Sequence, residues 1–257
     1  MSKSTIEPAL IGIGGTAGAP MPEVVDREAW QKHLDELLVR EKAFTREGDA
    51  IAAARRRMPM VEVAATTTVV GRDGPVSLLD VFDGRRQLVV YYHMWHDGQP
   101  APVQCEGCSF FNGHVRELSY LHSRDVTYAA FCEGPYAESA RYHNFMGWEM
   151  PWYSAKDSQK VLIAGRGGFG LICCYLRDGD RVFETYWTTG RAAERMSNTY
   201  AMLDMTVYGR QETWEDSPAG WPQRLKGKQV IRTDGRPTAQ WSRLKVGRSD
   251  DLGAGRR

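Results

Sequence analysis

Two cysteines separated by two residues, Cys105–Glu106–Gly107–Cys108, are the strongest chemical signal in the chain. A sulfur attacks only as thiolate, and a free cysteine with a pKa near ~8.5 is mostly protonated at neutral pH. If a helix starts near Cys108, Cys105 stands at its N-terminus, where unpaired N–H groups and roughly half a positive charge favour the anion. Two intervening residues let the second sulfur close a disulfide, with Cα atoms about 5–6 Å apart. The spacing therefore predicts thiol–disulfide exchange, in which Cys105 attacks a substrate disulfide and Cys108 resolves the mixed disulfide. Glu106 places a carboxylate beside the nucleophile and opposes its ionisation, while Gly107 adds flexibility. Both argue against a strongly oxidising pair.

Tyr92 and His93 end the apolar run that leads to the motif, and either could relay a proton to Cys108 as a disulfide opens. The plainer reading is two packed core residues at a strand end. A rival use of the cysteines is zinc. His93 and His96 lie upstream and His114 follows, so a tetrahedral ligand set is conceivable, or the pair is merely structural in a non-catalytic binding module. His93 falls inside a buried run, however, and the chain has elements enough to fold without a metal staple. Dithiol chemistry is the preferred reading, with no cofactor and no metal expected. Of the five cysteines, Cys132 reads as a buried strand thiol. Adjacent Cys173 and Cys174 face opposite sides of a strand and form no easy disulfide.

The formal charge of +1 over 257 residues gives no bulk attraction to nucleic acid or anionic membrane. No segment approaches the ~20 apolar residues that cross a bilayer. The Gly- and Ala-rich stretch Pro8–Ala19 follows Glu7 rather than a basic cluster, which is unlike a secretory signal. A cytoplasmic location is expected, where a close Cys pair is more often reactive than structural.

Four regions must position the pair. Residues 1–23 read as a mobile leader. Residues 24–59 read as a helical extension: Asp26 is an N-cap candidate, Trp30, Leu34, Leu37, Leu38, Glu41 and Phe44 keep helical spacing, Gly48 weakens the pattern, and Ala50–Arg57 resumes a helix-forming run that Pro59 closes. Residues 60–210 read as the domain. Thr66–Val70 and Pro75–Leu79 flank a turn, Gln87–Trp95 is a strand buried on both faces, and Phe111 to Leu121 keeps one helical period. Val126–Cys132 is a second buried strand, Tyr136–Met146 a helix stopped by Gly147, and Leu171–Arg177 with Arg181–Trp187 a hairpin about Asp178–Gly179–Asp180. Ala193, Met196, Tyr200 and Leu203 give a closing helix. The order from Gln87 is β-α-β-α-β-β-α, a mixed central sheet of thioredoxin-like α/β architecture with the cysteines between first strand and first helix. Residues 211–257 read as a basic, disordered tail carrying Arg224, Lys226, Lys228, Arg232, Arg243, Lys245, Arg256 and Arg257, though Trp221 and Trp241 leave packing on the domain open.

Several segments carry a family resemblance. Gly74 to Gly84 followed by Gln87 to Met94 resembles the opening of a bacterial family of unknown function, domain of unknown function 899, usually described as predicted dithiol–disulfide oxidoreductases with a thioredoxin-like, peroxiredoxin-related fold. Cys105 to Phe110 resembles its cysteine motif, and Arg124–Thr127, Met146–Trp148 with Pro151–Trp152, Tyr175–Asp180 and the helix with Trp30 and Glu41–Lys42 are similar too. The resemblance spans roughly residues 24–210 and implies thiol redox activity at Cys105 and Cys108. Two departures qualify it. Thioredoxins carry a proline before the hairpin strand, whereas Arg166–Gly170 holds none. Peroxiredoxins carry Thr or Ser three residues before the peroxidatic cysteine, whereas Pro102 holds that place before Cys105. Exchange is therefore implied rather than peroxide reduction. The expected partners are a disulfide-containing protein or a small-molecule thiol, with an electron donor of unknown identity. The helix at 26–58 packs on the domain or on a second subunit, so a homodimer is also an expectation.

Overall fold

The computed structural model describes residues 16–250. The leader's first fifteen residues, and Arg256 and Arg257, lie outside them. Helix α1 (Arg27–Arg55) starts where Asp26 accepts the Ala29 N–H at 2.8 Å, and it runs through Gly48 unbroken. None of its residues is buried, and Phe44 is 80% exposed. Its described contact with the domain comes at its end, where the Arg55 guanidinium lies 4.8 Å over the Tyr186 ring.

Beyond α1 come β1 (Val61–Val63), β2 (Thr68–Gly71), β3 (Gly74–Ser77), β4 (Gln87–His93), α2 (Glu106–Gly113), α3 (Ser119–His122), β5 (Val126–Cys132) and α4 (Tyr136–Met146). They are followed by β6 (Trp152–Ser154), α5 (Gln159–Ile163), β7 (Leu171–Asp178), β8 (Arg181–Thr189) and α6 (Asn198–Asp204). Last come the short strands β9 (Arg232–Thr233) and β10 (Arg236–Pro237), and α7 (Thr238–Lys245). Eight strands form one sheet in the order β1-β8-β7-β4-β5-β6-β2-β3. Strand β4 runs parallel to β5, with Tyr91 opposite Ala130, and antiparallel to β7, with Tyr91 opposite Ile172. The β7–β8 hairpin is antiparallel, with a register shift between Cys174 and Tyr175. Four adjacent strands of the sheet, β8-β7-β4-β5, with α2, α4 and α6 reproduce the expected β-α-β-α-β-β-α order, and the fold is thioredoxin-like.

Successive residues of a strand point to opposite faces. In β4, Leu88, Val90 and Tyr92 therefore enter one core with Phe82, Phe131 and Tyr175. Tyr91 enters the other, with Tyr128, Tyr142, Trp148 and Trp152. Both faces are covered, as expected of a central strand.

Two helical runs differ from expectation. The period from Phe111 to Leu121 breaks after α2, where the Gly113 carbonyl is taken by Arg116 Nε at 3.0 Å instead of a continuing helix. The closing run splits into a 3₁₀ turn (Gly190–Met196) and α6, because the Ser197 hydroxyl accepts the Tyr200 N–H at 3.2 Å and caps a new helix.

The tail is the larger correction. Over residues 211–250 it is folded, not disordered: β9 and β10 pair antiparallel, and α7 packs beside α2 and α4. Gln240 is fully buried, donating to the Ala101 carbonyl at 2.8 Å and to the Tyr142 hydroxyl at 2.7 Å. Trp241 Nε1 donates to the Thr233 carbonyl at 3.0 Å. Polar anchors hold this segment where apolar ones are scarce.

Candidate active site

The strand β4 delivers the chain to the site, and the loop after it sets the approach. Gln104 is fully buried, and its amide receives the His96 N–H at 3.0 Å and donates to the carbonyls of His96 and Gln99 at 3.0 and 2.9 Å. One side chain thus replaces three hydrogen bonds that a regular element would have made. Trp95 closes the loop's other side: its indole donates to Glu138 at 3.0 Å, and its ring lies so near Gly134 that any Cβ there would fall 2.0 Å from it.

Cys105 is the N-cap of α2. Its Sγ accepts the Cys108 N–H at 3.4 Å, at the end of the helix where backbone dipoles favour an anion. Cys105 is half-buried, whereas Cys108 is 1% exposed. Both are free thiols. The environment separates their acidities. The Cys108 thiol hydrogen-bonds the Cys105 sulfur and brings its pKa down to about 7, with burial and the Glu106 charge opposing and backbone N–H groups assisting. Burial pushes Cys108 well up, and the neighbouring Cys105 sulfur pushes it further. One accessible sulfur ionises readily, and its buried partner keeps its proton. Burial also raises Cys132 and Cys173 to about 12 and Cys174 to about 11.

Cys108 Sγ accepts the Met94 N–H at 3.3 Å. The Met94 thioether lies 4.0 Å from Cys105 Sγ and packs against Gly170, where a Cβ would stand 3.1 Å from the Met94 sulfur. Gly170, at φ +87°, donates its N–H to the Tyr92 carbonyl at 2.7 Å just before β7. A backbone glycine thus occupies the place where a proline is absent.

The proton relay that the sequence allowed for Tyr92 and His93 has no geometry, and both are packed core residues, the plainer reading. Tyr92 lies on the opposite face of β4, and its hydroxyl shares a hydrogen bond with Tyr175 at 2.6 Å. His93 faces the site's side of the sheet, but its ring hydrogen-bonds Asn112 and neither sulfur. Asn112 Nδ2 donates to His93 Nδ1 at 3.0 Å and to the Cys108 carbonyl at 3.1 Å, and Asn112 Oδ1 accepts from Tyr128 at 2.9 Å. His93 therefore braces the helix turn that carries Cys108. Among the residues missed in the sequence is Tyr91, whose buried phenol hydrogen-bonds the Cys108 sulfur. The zinc arrangement does not assemble: His114 bonds the Phe110 carbonyl and Thr199, and no group of three or more His, Cys, Asp or Glu among the described residues converges on a metal position. No helix among the described residues is long and apolar enough to cross a membrane.

Glu106 does not face the nucleophile unpaired. Its carboxylate receives Arg232 Nε at 3.1 Å and Nη2 at 2.9 Å, from the β9–β10 hairpin.

Burial in an aromatic cage holds the His93 ring neutral and brings its pKa down to about 3, with nearby His143 adding to the effect. The unfolded chain titrates near ~6.5. Between these values the unfolded state binds a proton that the folded state lacks. This contribution is thus intact above about pH 6.5 and is lost as pH falls toward 3, by at most about 1.4 kcal/mol per pH unit. Urea midpoints are expected to fall between about pH 7 and pH 5, and less steeply in His93→Asn. Equal slopes in the two proteins would refute the assignment.

The family described as bacterial protein of unknown function (DUF899) matches residues 19–241. Among solved structures, a cysteine-to-serine mutant of peroxiredoxin Q from Xanthomonas campestris is similar at 12% identity and a TM-score of 0.38, covering 56% of this chain and 96% of that one. Peroxidoxin BcpB from Mycobacterium tuberculosis is similar at 16% identity and a TM-score of 0.37, covering 56% and 100%. A candidate thiol:disulfide interchange protein DsbE from Chlorobium tepidum is similar at 14% identity and a TM-score of 0.33, covering 54% and 95%. No curated protein matches the sequence.

Proposed function

The chain belongs to the bacterial family of proteins of unknown function DUF899, and we propose that it is a thioredoxin-like dithiol–disulfide oxidoreductase with Cys105 as nucleophile and Cys108 as resolving thiol. The observation that carries this reading is the split within one helix turn: a partly exposed sulfur with a pKa brought to about 7 beside a buried one pushed well up.

The Cys105 thiolate attacks one sulfur of a substrate disulfide. The substrate S–S bond breaks, a mixed disulfide forms, and the departing thiolate takes a proton from solvent. Cys108 then gives up its proton and attacks Cys105 Sγ, which expels the second substrate thiolate. The protein is left with a Cys105–Cys108 disulfide, and the substrate has gained two electrons and two protons. The Tyr91 phenol and the Met94 N–H hydrogen-bond the Cys108 sulfur as its charge develops, which favours the resolving thiolate. An external dithiol, acting in the cytoplasm on this reading, returns the pair to the reduced form. Substrates are disulfide-bearing proteins or small-molecule disulfides, because the partly exposed Cys105 meets them at the surface.

The test is a thiol count with peptide mapping on reduced and mildly oxidised protein. Two thiols should interconvert, at 105 and 108, while Cys132, Cys173 and Cys174 remain constant. Alkylation of Cys105 should reach half its limiting rate near pH 7, against about 8.5 for an ordinary thiol. A pair that stays reduced under disulfide excess would defeat the proposal.

A further inference from the structure

Arg232 is built into the approach to the nucleophile rather than onto the surface. Beyond its double contact with Glu106, Nη1 donates to the Pro102 carbonyl at 2.7 Å and to the Gly235 carbonyl at 2.5 Å, and Nη2 donates to the Gln104 carbonyl at 2.9 Å. Both side chains of the ion pair are largely buried, 17% exposed for Arg232 and 12% for Glu106. A planar guanidinium can serve a carboxylate and several carbonyls at once, which lysine's single ammonium cannot. Around it, Ile231 lies 3.8 Å from where a Gly107 Cβ would stand, and Gln240 pins α7 to the Ala101 carbonyl. Arg236 in turn holds Gln240 Oε1 at 2.9 Å. The whole segment grips residues 101–107, the turn that presents Cys105.

We propose that this C-terminal hairpin is part of the thiol site, with Arg232 a positioning residue that keeps the Glu106 carboxylate paired and the backbone before Cys105 fixed, so that the nucleophile reacts at neutral pH only while the segment is docked. The inference deepens the proposed function and rests on reading Cys105 as the nucleophile. The titratable and charged groups facing Cys105 are few. Cys108 and Glu106 come from its own helix, Tyr91 from β4 and Tyr142 from α4. Arg232 reaches the sulfur's field through Glu106. The Glu106 charge opposes ionisation of Cys105. With the guanidinium removed, that carboxylate acts uncompensated in a partly desolvated place, where charges interact more strongly than in water.

The experiment is the pH dependence of iodoacetamide alkylation at Cys105, read by peptide mapping on the reduced full chain. The other cysteines do not interfere, since their thiols are all pushed up. Arg232→Met is expected to slow alkylation about fivefold at pH 7, the effect of a one-unit rise that takes the ionised fraction from about a half to about a tenth. Adding Glu106→Gln to Arg232→Met should bring the rate back to within about twofold of the parent, because the opposing charge is gone. An unchanged rate in Arg232→Met overturns the proposal. So does a double variant as slow as the single one, which would mean that Arg232 only holds the fold. Should Arg232→Met lose its near-ultraviolet circular dichroism, Glu106→Gln alone carries the test: its titration must fall below the parent's, and an equal or higher one overturns the proposal. Alkylation needs no disulfide substrate. A parent protein that alkylates near neutral pH yet exchanges with no disulfide would sink the oxidoreductase reading and leave this one standing.

Discussion

Replacing Cys105 with serine should reduce insulin-disulfide reduction to the uncatalysed rate, a loss of about a thousandfold or more, since a hydroxyl cannot act as the attacking thiolate. Cys108→Ser should behave differently. Its first step is intact, so the mixed disulfide on Cys105 accumulates instead of resolving, and mass spectrometry of protein mixed with a small disulfide should find a stable adduct at Cys105. The two variants thus separate attack from resolution. Equal insulin reduction in Cys105→Ser, or an adduct at Cys108 in the parent, would reverse the assignment.

The second large effect belongs to stability and lies on the opposite face of the sheet. Arg166 and Glu184 form a close ion pair with side chains only 12% and 13% exposed. Arg166 also hydrogen-bonds Cys173 Sγ at 3.7 Å and stacks 4.7 Å over the Trp187 ring. Glu184→Ala leaves a buried guanidinium without its anion and should cost about 3 kcal/mol of unfolding free energy. The combined Arg166→Met and Glu184→Leu change removes both charges and should recover most of that loss. Urea denaturation measures both. Alkylation of Cys105 should be unchanged in the stable double variant, because the pair packs beside Cys173 on the face of the sheet opposite to Cys105 and Cys108. A double variant as unstable as the single one would show that packing of these side chains, not their charge, matters there.

These sites differ in how openly the sequence announced them. The cysteine pair is legible because its chemistry depends on spacing, and spacing survives in a string. A helix start near Cys108 and a strand from Gln87 follow from local rules; the strand begins at Gln87, and the helix begins two residues earlier than expected, at Glu106, with Cys105 as its N-cap. The choice between Tyr91 and Tyr92 was not legible. A strand buried on both faces has no polar alternation to reveal which parity faces the motif. Had Leu88, Val90 and Tyr92 alternated with charged residues, the phase would have been plain. Strands β1 and β6, three residues each, are too short to leave a periodic signal. Arg232 reads as one cation of a basic tail, and Gln240 leaves no signal at all, because burial of polar residues depends on partners far along the chain. Gln104 escaped notice for the same reason: its value lies in two carbonyls and an N–H that only the folded loop gathers.

The carboxylate at 106 and the guanidinium it meets are 126 residues apart in the chain. During synthesis the cysteines therefore emerge long before the arginine that completes their surroundings. On the proposed role of Arg232, a nascent chain carries a muted sulfur, and full reactivity arrives only when the β9–β10 hairpin and α7 have been made and have docked. The order of translation then becomes a safeguard, keeping a reactive thiol subdued while neighbouring strands are still exposed and prone to wrong disulfides.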